Sequence, residues 1–144
     1  MIHVVTGHVC SGKSTFVRER SKPGDVIIDL DRIALALTTE DTPHHDYPQH
    51  IAGVAIAARY AAMDEAIRRS RAEGGFDVWL IQAYPDSRDW AVYRRIGAVT
   101  YHMEADARTL RERAAAGRPE RVRRLLEQRL AEGVGSAAGL PFCP

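Results

Sequence analysis

The chain has 144 residues and a formal net charge of +1. At about 100–200 residues per domain it fits one domain, large enough to hold a core without disulfide or metal staples. A charge this near zero excludes a protein that grips nucleic acid by overall basicity, so any anion site has to be local.

Residues 2–6 are a short apolar run closed by Gly7, which reads as a buried strand. Residues 14–19 continue as a helix, broken by Lys22-Pro23-Gly24. Residues 26–30 form a second buried strand ending in Asp29-Leu30-Asp31, and residues 32–37 a short helix. Residues 38–49 are polar, with Pro43, Pro48 and the adjacent His44 and His45, and read as a loop. Residues 51–72 form a long Ala-rich helix whose Ile56, Tyr60, Met63 and Ile67 recur at helical spacing. A third strand is expected over 77–83 and a fourth over 98–103, with a helix between them that Asp86 caps or opens. Helices over 106–116 and 120–132 are separated by Gly117-Arg118-Pro119, and the second carries Val122, Leu125, Leu126 and Leu130 on one side. Residues 1–132 make one domain, and residues 133–144 are expected to be a loose tail. Continuous apolar strands alternating with helices imply a parallel sheet covered on both faces.

Between the first strand and first helix lies Gly7-His8-Val9-Cys10-Ser11-Gly12-Lys13-Ser14, followed by Thr15. Every fixed position of G-x-x-x-x-G-K-[ST] is met, and the strand–loop–helix context is the one this motif requires. The glycines let the backbone turn so that N–H groups converge on phosphate oxygens, and the helix start adds its positive end. Lys13 offers a charge to the β- and γ-phosphates of ATP, and Ser14 a hydroxyl to Mg²⁺. Lysine occurs only at positions 13 and 22, so this charge has no ready substitute.

Asp29 and Asp31 fall where the second strand meets the ligand crevice. Two residues apart on a strand, they would share a face, beside Arg32. A carboxylate there can accept a proton from an attacking hydroxyl or hold Mg²⁺ through water; helix capping is the structural alternative. The third strand ends in Gln82-Ala83-Tyr84, without an acid before Asp86, which weighs against a motor or switch ATPase. Arg111, Arg113 and Arg118 flank the Gly-Arg-Pro break, and such an Arg-bearing helical hairpin can close over a transferring phosphoryl group.

This ordered set resembles the P-loop kinases of the polynucleotide 5′-kinase type and, more loosely, the zeta-toxin and chloramphenicol phosphotransferase group. The resemblance implies an α/β P-loop NTPase fold, a parallel sheet sandwiched by helices with a small helical lid. It implies ATP and Mg²⁺ as cofactors, Asp31 as base, Arg32 on the acceptor side and Arg111, Arg113 or Arg118 as lid residues. In the usual pattern the Arg trails its Asp by three residues, which Asp29 and Arg32 satisfy, so both acids stay candidates. Polynucleotide 5′-kinases carry an Asp where this chain has Gln82.

The expected activity is phosphate transfer from ATP to a hydroxyl of a nucleic acid, nucleoside or modified base. The alternatives are a small-molecule phosphotransferase acting on an antibiotic or sugar-like alcohol, and a regulatory module that binds ATP without chemistry. A nucleic-acid acceptor is favoured by His44, His45, Tyr47 and His50, which can stack on bases, and by Arg32 and Arg59, which can meet phosphates. Cys10 and Cys143 lie in no metal-like spacing and are expected to be reduced, in a cytoplasmic protein. The amino terminus has no basic leader and no long apolar segment, so neither signal peptide nor membrane span is expected.

Overall fold

The computed structural model describes residues 1–133; the expected tail beyond Gly133, with Cys143, lies outside them. The order is β1 (Ile2–Thr6), α1 (Lys13–Arg20), β2 (Val26–Asp29), α2 (Leu30–Ala36), α3 (Gln49–Ala72), β3 (Val78–Ile81), α4 (Ser87–Arg95), β4 (Val99–His102), α5 (Ala107–Gly117) and α6 (Glu120–Ala131). The four strands make one all-parallel sheet in the order β2-β3-β1-β4.

Alternation along each strand sends successive side chains to opposite faces. Val4, Ile28 and Leu80 join Met63, Ile67 and Tyr93 beneath α3 and α4. Val5, Trp79 and Ile81 meet Val17 of α1 on the other face. A third cluster, Leu110, Ala114 and Leu126, joins α5 to α6 and packs against Val9 and Cys10. The α5–α6 hairpin is thereby docked on the loop after β1.

The capping of α4 agrees with the sequence: Asp86 accepts from the N–H groups of Arg88 and Asp89, and Asp89 returns a bond to Asp86 N–H. Two readings need correction. The buried face of α3 is Ala55, Arg59, Met63, Ala66 and Ile67, whereas Ile56 and Tyr60 are exposed. Small alanines let α3 approach the sheet closely, so the large residues at helical spacing did not mark the inner face. The second strand also ends sooner than expected. The chain turns helical at Leu30, which places Asp31 in the first turn of α2 instead of on a strand face shared with Asp29.

Among the described residues no helix is long and apolar enough to cross a membrane.

Candidate functional site

The loop from Gly7 to Gly12 owes its shape to backbone constraints. At Gly7, φ is 128° and an added Cβ would lie 2.2 Å from the Met103 carbonyl oxygen. Only glycine fits that approach to the end of β4. Cys10 (φ 65°) and Gly12 (φ 97°) are also left-handed, and Ser11 N–H closes a turn onto His8 O at 3.2 Å. Gly12 caps α1 without a side chain to offer, leaving the first N–H groups of that helix as donors for an anion.

Lys13 folds back across this loop. Its Nζ donates to Gly7 O at 2.8 Å and to His8 O at 2.6 Å, and the residue is 9% exposed. Burial pulls its pKa down to about 8, with Cys10, Asp29 and Asp31 only partly offsetting the loss of water. That shift disfavours the charged form by about 3 kcal/mol. Ser11 Oγ is buried in the same loop with no partner among the described residues. His8 Nδ1 lies 3.2 Å from the Tyr84 hydroxyl, which also accepts from Val9 N–H at 3.4 Å. Burial and then the Lys13 charge lower the His8 pKa, so Tyr84 braces the loop through a neutral imidazole. Cys10 is a free thiol. Ser14 and Thr15 are exposed on the first turn of α1.

The two candidate acids take different positions. Asp29 is the N-cap of α2: its Oδ1 accepts from Asp31 N–H at 3.1 Å, and its Oδ2 accepts from Ser14 Oγ at 3.4 Å. Burial, followed by the nearby Asp31 charge, raises its pKa. Asp31 turns the other way, toward the 38–48 loop. Its Oδ2 meets His45 Nδ1 at 2.9 Å and its Oδ1 accepts from the Tyr47 hydroxyl at 2.8 Å. Burial works to raise the Asp31 pKa too, but the hydrogen bonds from His45 and Tyr47, with the nearby Arg118 charge, outweigh it and lower it. Asp29 therefore faces the start of α1, while Asp31 faces the 38–48 loop. Arg32 is exposed and close enough to Asp29 to ease its ionisation.

The arginines of the α5–α6 hairpin also separate. Arg113 Nη1 donates to Cys10 O at 3.1 Å. Arg118, at the turn between α5 and α6, is near enough to act on both Lys13 and Asp31. Arg111 instead makes a bidentate pair with Glu127, at 2.7 and 2.9 Å, which ties α5 to α6. A further residue had no sequence signal. Arg121 on α6 donates to His45 O at 2.5 Å, lies 3.5 Å from Asp46 and sits 5.5 Å from the Tyr47 ring centroid. The hairpin thus contacts both the 7–12 loop and the 38–48 loop.

No protein-family model matches the chain, and no curated protein does either.

The functional reading therefore rests on the side chains themselves. Arg59 and Gln82 fall outside the phosphate site. Arg59 Nη2 donates to Gln82 Oε1 at 3.0 Å, the Tyr93 hydroxyl donates to the same oxygen, and Gln82 Nε2 donates to Asp89 at 2.6 Å. Arg59 is 5% exposed, so its expected role in meeting acceptor phosphates gives way to a buried polar network. For Mg²⁺, the Ser14 hydroxyl with the Asp29 carboxylate behind it supplies hard oxygen donors. That fits an ion which keeps most of its waters and takes phosphate oxygens as ligands. Among the described residues no cluster of three His, Cys, Asp or Glu forms a protein cage for a metal, and Mg²⁺ bound in this way needs none.

Proposed function

We propose that the protein is an ATP-dependent P-loop kinase that transfers the γ-phosphate to a hydroxyl of a nucleic acid, nucleoside or modified base. One observation carries this reading. Lys13 is a buried cation whose hydrogen-bond partners are the carbonyls of Gly7 and His8, at the mouth of a loop that ends in an uncapped helix. A buried charge without a carboxylate partner is costly, and a polyphosphate entering the loop would supply the missing anion.

Loop N–H groups and the start of α1 hold the phosphate oxygens, and Lys13 moves from its carbonyls to the transferring group. Mg²⁺, held at Ser14 Oγ, would neutralise phosphate charge and align the oxygens. Arg113 and Arg118 close the site from the lid side. The acceptor hydroxyl enters from the 38–48 loop and gives up its proton at the Asp31 station.

A nucleic-acid-like acceptor is supported by what this loop exposes. His44 of the loop is open to solvent, as are His50 at the start of α3 and Arg32 on α2, which offers rings and a cation to a splayed base and its phosphate. The test is transfer of labelled γ-phosphate to a single-stranded 5′-hydroxyl oligonucleotide and to the free nucleoside, across a salt series. The oligonucleotide is expected to be the better acceptor, with activity falling as salt rises. Equal activity on the nucleoside without salt dependence removes the polymer. Transfer only to a small alcohol makes the protein a small-molecule phosphotransferase. ATP binding without transfer to any acceptor makes it a regulatory module.

A further inference from the structure

His45 is held with unusual care for a residue of a polar loop. Its φ is +64°, a left-handed conformation that side chains rarely adopt and that persists only where surroundings enforce it. The enforcement is visible. Arg121 of α6 donates to the His45 carbonyl at 2.5 Å, and Asp31 of α2 meets its Nδ1 at 2.9 Å. A carboxylate can only accept, so the neutral ring carries its hydrogen on Nδ1 and leaves Nε2 with a free lone pair. Tyr47 donates to the other Asp31 oxygen at 2.8 Å, so neither oxygen of that carboxylate is idle. Among the described residues Nε2 has no hydrogen-bond partner, and the His45 side chain is 20% exposed. The imidazole continues a chain of contacts that runs from Ser14 through Asp29 and Asp31.

We propose that His45 Nε2, held by Asp31, is the group that takes the proton from the acceptor hydroxyl. This assignment rests on the kinase reading above. The acceptor O–H bond breaks as its oxygen bonds to the γ-phosphorus, and the proton passes to Nε2. The bond from the γ-phosphorus to the bridging oxygen breaks, and ADP leaves with the electron pair. The imidazolium that results faces the Asp31 carboxylate and later returns its proton to solvent. Tyr47 is a positioning residue that keeps Asp31 aimed at Nδ1. The ionisable groups around the ring are Asp31 from α2, His44, Asp46 and Tyr47 from its own loop, and Arg121 from α6, with Arg118 acting on Asp31.

The decisive variant is His45→Gly, because glycine accepts the left-handed backbone and deletes only the imidazole. His45→Asn, also tolerant of that conformation, is the second. Both are assayed with γ-labelled ATP and a single-stranded 5′-hydroxyl oligonucleotide, alongside equilibrium ATP binding and thermal melting. The expected result is a fall in kcat of about a hundred- to ten-thousandfold, with ATP affinity and melting retained. Added imidazole restores part of kcat in His45→Gly alone. Near-normal kcat in His45→Gly overturns the proposal and leaves the kinase reading standing. A loss that imidazole does not relieve overturns it in favour of Asp31 as the base. Absence of transfer by the wild-type protein to any acceptor overturns both.

Discussion

Two buried cations lie near the carboxyl end of the sheet, and their surroundings differ. Arg59 and Lys13 are 5% and 9% exposed. Arg59 rests on Gln82 Oε1, whose amide nitrogen is bonded in turn to Asp89, so an oriented amide links the guanidinium to a carboxylate. Among the described residues Lys13 hydrogen-bonds only to the carbonyls of its own loop, beside the helix start that Gly12 leaves without a side-chain cap. The first arrangement is complete without a ligand. The second is made of contacts that an anion can replace. A buried charge marks a binding site when its partners are exchangeable, and burial alone does not distinguish the two.

The largest expected effect follows from that contrast. Lys13→Ala should abolish phosphate transfer and weaken ATP binding sharply, since it removes the one buried ammonium of the loop, whose place between the Gly7 and His8 carbonyls the larger guanidinium of Arg118 does not take. Arg59→Met should leave ATP binding intact and lower the melting temperature by several degrees. It removes one of the two donors to the Gln82 oxygen, which keeps the Tyr93 hydroxyl, so the loss is that of one charged hydrogen bond, about 1.5–3 kcal/mol. ATP titration and thermal melting of the two variants read this out. An Arg59→Met protein that loses ATP binding, or a Lys13→Ala protein that keeps it, breaks the comparison.

The conformation of the 7–14 loop between β1 and α1 was legible in the sequence because its design is local. Gly7, Gly12, Lys13 and Ser14 act through backbone conformation over a few residues, and the flanking strand and helix are set by apolar runs beside them. The surroundings of Asp29 and Asp31 were legible only in part. Asp29 and Asp31 were found, but spacing alone could not show that the strand gives way to helix between them and turns them to different partners. The contacts that define Asp31 span 14 and 16 residues, and Arg121 reaches His45 across 76. Nothing in the local pattern encodes pairings at such range. The same limit hid the Arg59–Gln82 bond, which explains how an amide is accommodated at that strand end.

A smaller effect sharpens the account of the lid. Arg118→Ala and Arg113→Ala should lower kcat more than they raise KM, because their action is on charge that develops during transfer. Arg111→Ala should change neither, since its side chain is engaged with Glu127 on the outer surface of the hairpin. Steady-state kinetics of the three variants decide it. Equal behaviour of all three would make the hairpin a structural element without a catalytic edge.

The phosphate-binding assignment is tested most directly by counting protons during ATP binding. Burial brings Lys13 to about 8 in the ligand-free protein, so above that pH the free amine is mostly neutral. Phosphate favours the charged form, so binding there must draw a proton from solvent, and affinity must fall as pH rises through 8, by at most about tenfold per pH unit. Calorimetric titration of ATP at pH near 8.5, in two buffers of different ionisation enthalpy, measures that uptake. The wild-type protein is expected to take up most of one proton, and Lys13→Met to lose that uptake. Binding with no proton uptake, or with the same uptake in Lys13→Met, would contradict it.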